Sequence, residues 1–185
     1  MKISFSRRMK AFMAKWGGLI LAAILVLPLA GFGGTYLYAN SRVDDTLTWV
    51  TQEITLNSFL FAGVPLDPPR RVIYHIVIGV HNRTPDAAQV NITGARVKLN
   101  EVNYDIVGSA GWQGTVAGKD DKVFEGDIVL PYDTYLELIN RTLDLEVTGN
   151  IKATAHYSFV DKEAERPIKI TTEVIFPPPS TSPPP

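Results

Sequence analysis

The chain has 185 residues, a formal net charge of −1 and no cysteine; this length suits one folded domain, and the composition excludes disulfide staples, thiolate metal sites and a cysteine nucleophile. Charge is unevenly placed: residues 1–16 hold Lys2, Arg7, Arg8, Lys10 and Lys15 with no acid, which leaves 13 of the 18 basic residues against all 19 acidic ones beyond them. A remainder of that sign repels phosphate, so a nucleic-acid partner is excluded.

After the basic leader, residues 17–39 read GGLILAAILVLPLAGFGGTYLYA without one charged side chain. At 1.5 Å per residue this run spans roughly 34 Å as a helix, enough for a hydrocarbon core of about 30 Å. It is expected to be a transmembrane helix, kinked at Pro28 where one amide donor is missing, and to bring the chain into contact with membrane lipid. Trp16 stands near one end and Tyr36 and Tyr38 near the other, where amphipathic rings favour the headgroup zone. The five flanking cations hold the N-terminus in the cytoplasm, and Asp44 and Asp45 follow on the far side, so the rest of the chain is expected outside the cell membrane in a single-pass arrangement. A cleaved secretory signal over residues 19–30 is the competing reading; the long basic lead, the apolar and aromatic run continuing to Ala39 and the lack of a clean small-x-small site before Asn40 weigh against it. Small residues four apart, Gly18 with Ala22 and Ala30 with Gly34, permit close helix approach, though ordinary membrane-helix composition also produces them.

Residues 45–176 are dominated by alternation, which sends successive side chains to opposite faces of a strand. Residues 47–61 are read as a first strand ended by Pro65, Pro68 and Pro69. In RVIYHIVIGVHN, Val72, Tyr74, Ile76, Ile78 and Val80 share one face, with Ile73, His75, Val77, Gly79 and His81 on the other, and both faces are apolar enough for a central strand. Residues 89–99, 104–110, 122–130, 143–159 and 168–176 complete seven strands, with turns at Thr84-Pro85-Asp86 and over 118–121, a pattern that predicts a β-sandwich. One stretch departs from alternation: in PYDTYLELINRTL, Tyr132, Tyr135, Leu136, Ile139 and Leu143 fall at helical spacing, with Pro131 suited to the first turn. A single short amphipathic helix is expected there, its stripe in the core. The tail, residues 177–185, reads PPPSTSPPP and is expected to be extended and unpacked, a spacer whose Ser and Thr are open to O-glycans or an end that docks in an aromatic groove.

The order HIVIGVHN, then VNITGARVKLNEVNYDIVGSAG, then FEGDIVLPYDTYLELI, then LEVTGNIKATAHY resembles the late embryogenesis abundant group 2 family, also called the water-stress and hypersensitive-response (WHy) domain, over about residues 45–176. Where that family often has Asn followed directly by Pro, this chain has Asn82-Arg83-Thr84-Pro85. The resemblance implies an all-β, immunoglobulin- or fibronectin III-like sandwich with one helix, without known catalytic residues, linked to stress tolerance or membrane-associated binding. Members with an N-terminal membrane helix share the layout.

His75 and His81, six apart on one strand, lie roughly 20 Å from each other and cannot share a metal. His156 stands alone on a later strand. Asp44-Asp45 and Asp120-Asp121 are acid pairs expected on solvated turns, the second being the better calcium candidate. No Gly-x-Ser-x-Gly, phosphate-loop or His-Glu-x-x-His pattern occurs, so neither enzyme activity, cofactor nor metal is expected. Three acceptor sequons, Asn82-Arg-Thr, Asn91-Ile-Thr and Asn140-Arg-Thr, suit N-glycosylation of an exported domain; Pro85 after Thr84 disfavours the first. The expected task is a structural or interaction module, an accessory subunit of a membrane or envelope assembly with a protein partner or a second copy of itself. The alternative is a lipid or apolar-ligand carrier, with Tyr104, Trp112 and Phe124 lining a cavity.

Overall fold

A computed structural model of the protein describes residues 7–64 and 70–176, with side chains from Lys15 onward. The start of the basic leader, the proline cluster Pro65, Pro68 and Pro69, and the proline-rich tail lie outside the described residues. The chain divides into two compact units, Met1–Ser41 and Arg42–Pro185.

The first unit is helical. Helix α1, Arg7–Gln52, contains the whole uncharged run with Pro28 inside it, and from Lys15 it is long and apolar enough to cross a membrane, with none of its most apolar stretch buried by protein. Thr35 returns its hydroxyl to the Gly31 carbonyl at 2.8 Å, so its polar group is satisfied within the helix.

The second unit begins with the last turns of the same helix. Sequence propensity suggests a strand from residue 47; the chain instead stays helical to Gln52, and the first strand, β1, is Ile54–Gly63. Val43, Leu47 and Val50 fall at i, i+4 and i+7 and are all buried, so this stretch has the apolar stripe of a core helix. Its β-branched threonines are accommodated because Thr46 and Thr51 bond back to the carbonyls of Arg42 and Leu47, at 2.9 and 2.6 Å. Asp44 and Asp45 therefore sit on a helix, not on a turn.

Two antiparallel sheets enclose the core. The three-stranded sheet has the order β1-β2-β6, with β2 Arg71–Asn82 and β6 Asp120–Pro131. The five-stranded sheet runs β4-β3-β7-β8, with β3 Ala88–Leu99, β4 Val102–Asp105, β7 Thr142–Tyr157 and β8 Val160–Ile175; β5, Gln113–Val116, pairs the other half of the β3 edge. The sandwich thus has eight strands among the described residues, not seven. Val72, Tyr74, Ile76, Ile78 and Val80 of β2 are all buried, as their alternation requires, and face Val90, Ile92, Val97, Leu145, Val147 and Ile151 of the other sheet's inner positions. Residues 104–110, expected as one strand, divide into the end of β4, an isolated bridge at Val107 and a 3-10 turn over Ser109–Gly111. β8 starts eight residues earlier than expected: it is an edge strand, where the charges of residues 161–166 and Pro167 are tolerated because no second neighbour requires their backbone groups.

Helix α2, Tyr132–Leu138, follows β6 directly. Pro131 occupies its N-cap position instead of the first turn. Tyr135 and Leu138 face the core, whereas Leu136 is half exposed, Ile139 is the C-cap and Leu143 belongs to β7. Just past the C-cap, Asn140 takes a left-handed φ of 58° that turns the chain away from the helix, its amide donating to the Phe176 carbonyl.

Candidate functional site

The polar residues with the most partners gather where the end of α1 meets the β2–β3 loop. Arg42 Nε donates to Asp86 Oδ2 at 2.7 Å, and the same guanidinium lies 4.3 Å from the centre of the Tyr157 ring and 3.3 Å from its hydroxyl. One turn on, the buried hydroxyl oxygens of Thr46 and Thr84 lie 2.9 Å apart. Thr84 is in turn held by Asn82, whose Oδ1 accepts from the Thr84 amide and hydroxyl at 3.0 and 2.7 Å. Asn82 Nδ2 spends both hydrogens on the carbonyls of Asp86 and Ala117, at 2.7 and 3.1 Å. The next loop completes the arrangement: Lys119 donates its amide to the Thr84 carbonyl, and Gly118 passes so close to Pro85 that any Cβ there would run into the Pro85 carbonyl. Asp44 pairs with Lys162 of β8 at 2.8 Å. This clasp ties the helix end to the β2–β3 loop, the end of β7 and the start of β8 through groups separated by 38 to 118 positions in sequence.

That geometry separates the three sequons. Asn82 is buried and its carboxamide nitrogen is fully engaged, so in the folded domain it has no hydrogen free and no space for a glycan. Asn91 and Asn140 are exposed, the first on the outer face of β3 and the second at the end of α2.

The histidines stand on the outer face of the three-stranded sheet. His75 Nδ1 lies 2.9 Å from Asp127 and its Nε2 3.7 Å from Glu125; His81 Nδ1 lies 2.7 Å from Asp121 and its Nε2 2.8 Å from the Thr55 hydroxyl. His156 is exposed on β7 opposite Asp161. Among the described residues, no group of three His, Asp or Glu side chains has the arrangement to hold a metal ion. Asp120 and Asp121, expected on a turn, open β6 instead, with Asp120 accepting the Asp121 amide and Asp121 committed to His81. The register sets Leu60, His75 and Asp127 in one outward row and Val77 beside Glu125 in the next, with Leu60 and Val123 about half exposed, so this face mixes apolar and charged side chains.

Of the three side chains considered as cavity lining, Trp112 and Phe124 are core: both are buried, with ring centroids 6.1 Å apart, and the indole N–H donates to the Glu125 carbonyl at 2.7 Å. Tyr104 is half exposed, and burial raises its hydroxyl pKa. A second aromatic cluster centres on Tyr74, stacked on Phe59 at 4.7 Å and edge-on to Phe176 at 5.1 Å. The Tyr74 hydroxyl is buried without a hydrogen-bond partner among the described residues, and burial holds its pKa far above the usual tyrosine range, with Tyr135 adding to the effect. The clasp and this cluster were not anticipated from sequence. The one legible sign of the clasp was the turn signal within Asn82-Arg83-Thr84-Pro85-Asp86.

No family model and no curated protein matches the chain. Seven chains of solved structures are similar to it, among them the following three. An X-ray structure of a Northeast Structural Genomics Consortium target is 13% identical with a TM-score of 0.42, covering 66% of this chain and 89% of its own. A protein from Archaeoglobus fulgidus is 15% identical with a TM-score of 0.32, covering 65% of this chain and 100% of its own. The solution structure of a candidate late embryogenesis abundant (LEA) protein is 15% identical with a TM-score of 0.36, covering 83% of this chain and 88% of its own. Likenesses of this extent assign neither a family nor a function to this chain.

Proposed function

We propose that the chain is a single-pass membrane protein that displays an immunoglobulin- or fibronectin III-like sandwich of the late embryogenesis abundant group 2 type outside the cell membrane. The sandwich serves as a non-catalytic interaction module of a membrane or envelope assembly. The observation that carries this reading is the uncharged helix of residues 17–39: its leucines, isoleucines and aromatics are exposed, Leu29 at 71% and Leu27 at 69%, with no protein core to receive them. Such a surface is stable only against lipid or another apolar partner, and the cations on its N-terminal side set the orientation. The mixed apolar and charged face of the three-stranded sheet supports a protein partner, and the packing of Trp112 against Phe124 supports the module over the carrier.

The test is protease protection in sealed vesicles of both orientations, combined with alkaline carbonate extraction. The chain should stay with the membrane pellet, and protease added outside right-side-out vesicles should cleave the sandwich while sparing the leader. Release by carbonate would remove the anchor, and cleavage of the sandwich only in inverted vesicles would reverse the topology.

A further inference from the structure

We propose that the hollow on the outer face of the five-stranded sheet, over β5, β3 and β7, is a seat for a neutral saccharide. Register builds it. Asn91 of β3 stands opposite Gln113 of β5 on one side and Lys152 of β7 on the other; two residues along, Gln89 stands between Thr115 and Thr154. These two cross-strand rows point away from the core, because their alternates Val90, Ile92, Val116 and Ala153 point into it. Rows two residues apart lie about 7 Å from each other, and strands are about 4.8 Å apart, so the side chains form a plate on the scale of one or two sugar rings. Above them is a hollow of about 430 Å³, within the range of about 300 to 1,000 Å³ that small-molecule sites occupy.

The lining selects the ligand class. It presents three carboxamides and two hydroxyls, groups that both donate and accept, and no carboxylate to hold a cation. Its one cation, Lys152, is paired with Glu163 at 2.8 Å, so the plate offers no net charge to an anion. No leucine, isoleucine or aromatic side chain lines it, so a lipid tail would gain little there. Among the described residues, the side chains of Gln89, Asn91, Gln113, Thr115 and Thr154 make no hydrogen bond to the protein, in contrast to the fully engaged Asn82. Alternating donors and acceptors on a neutral plate match the hydroxyls of a polyol. Asn91 also opens a sequon whose Thr93 is exposed on the same face. The sugar therefore has two possible sources, a glycan carried by Asn91 itself or a saccharide of the surroundings. The first source rests on export of the domain; the binding chemistry does not.

The experiment has two arms. In the first, the full chain is made in a host without N-glycosylation, held in mild detergent, and titrated with maltoheptaose, mannopentaose and tetra-N-acetylchitotetraose by saturation-transfer NMR and calorimetry. At least one should bind, and Gln89→Ala with Gln113→Ala should weaken it about tenfold at an unchanged melting temperature. If that pair perturbs folding, Thr115→Ala with Thr154→Val takes its place. In the second arm, the chain is isolated from its native membranes, its intact mass is measured, and any Asn91 glycan is trimmed with glycosidase; trimming should run several-fold faster in the double variant. Free binding with a bare Asn91 identifies an external saccharide, and a protected Asn91 glycan identifies the chain's own. Binding that the substitutions do not weaken overturns the seat. So does the absence of binding together with a bare Asn91 or with a glycan trimmed equally fast in both forms.

Discussion

Two stretches of one helix illustrate how the same side chains meet different surroundings. Between residues 19 and 37 apolar side chains point outward all round the helix, and Leu29 is 71% exposed. Between 43 and 50 only one stripe is apolar, Val43, Leu47 and Val50, and each is at most 5% exposed. An all-round apolar helix needs a solvent that is apolar on every side, whereas a striped one needs only the flank of a core. The distribution of polar residues around the axis decides which environment each stretch can occupy.

A charge placed in each stretch should break different properties. Val50→Asp buries an unpaired carboxylate in the core, which costs about 3 to 5 kcal/mol and should unfold much of the domain, read as loss of the cooperative melt while the chain stays membrane-bound. Leu25→Arg costs about 2.5 to 3.5 kcal/mol of insertion free energy and should raise the carbonate-extractable fraction, with the domain's melting temperature unchanged. If Val50→Asp released the chain from the membrane, or Leu25→Arg lowered the domain's melting temperature, the two stretches would not be the independent units described here.

The clasp should respond next most strongly. Asn82→Ala leaves the buried amide and hydroxyl of Thr84 without their acceptor and the part-buried carbonyls of Asp86 and Ala117 without their donors. Each unsatisfied buried group costs about 1 to 3 kcal/mol, so a loss of about 2 kcal/mol or more is expected in urea unfolding, while Asn91→Ala on the open sheet face should change stability by less than about 0.5 kcal/mol.

These contrasts mark what a sequence can and cannot disclose. The alternation of β2 was legible because ten consecutive positions obey one period and the inward set is wholly apolar. The membrane-competent run was legible for a similar reason, an unbroken absence of charge. The end of α1 was misread because Thr46, Thr48, Val50 and Thr51 favour strands locally, and only tertiary burial at i, i+4 and i+7 outweighs that preference. β5 is four residues long, too short for any period to emerge. Neither the clasp nor the outer plate could be read, because each depends on pairing between segments distant in the chain, and register between such strands is not written in any one of them.

Alkaline pH sharpens the comparison from the core side. Burial raises the hydroxyl pKa of Tyr74, Tyr104 and Tyr135, so the native state keeps these protons at pH values where the unfolded chain, near its ordinary value of about 10, has lost them. The unfolded state then binds fewer protons, and stability, complete below that value, falls as pH rises above it, by about 1.4 kcal/mol per pH unit for each tyrosine still protonated. Tyrosinate absorbance should therefore show hydroxyls that ionise above the ordinary tyrosine range, with Tyr74 the last of them. Tyr74→Phe, which deletes the partnerless hydroxyl, should leave neutral-pH stability equal or higher by about 1 kcal/mol and should flatten the alkaline decline.

The smallest effect concerns whether ionic contacts or packing hold the helix end. Asp44 and Lys162 join the two at 2.8 Å, but their side chains are 51% and 35% exposed, and a pair so open to water contributes about 0.2 to 1 kcal/mol. Arg42 and Asp86 are less exposed, at 23% and 17%, and the guanidinium also covers the Tyr157 ring, so its coupling should be larger and less sensitive to salt. Double-mutant cycles of Asp44→Asn with Lys162→Met and of Arg42→Met with Asp86→Asn, each measured at low and high salt, separate the two. A coupling for Asp44 and Lys162 equal to that of Arg42 and Asp86 would mean that exposure to solvent does not set what these ion pairs contribute to fastening the helix end.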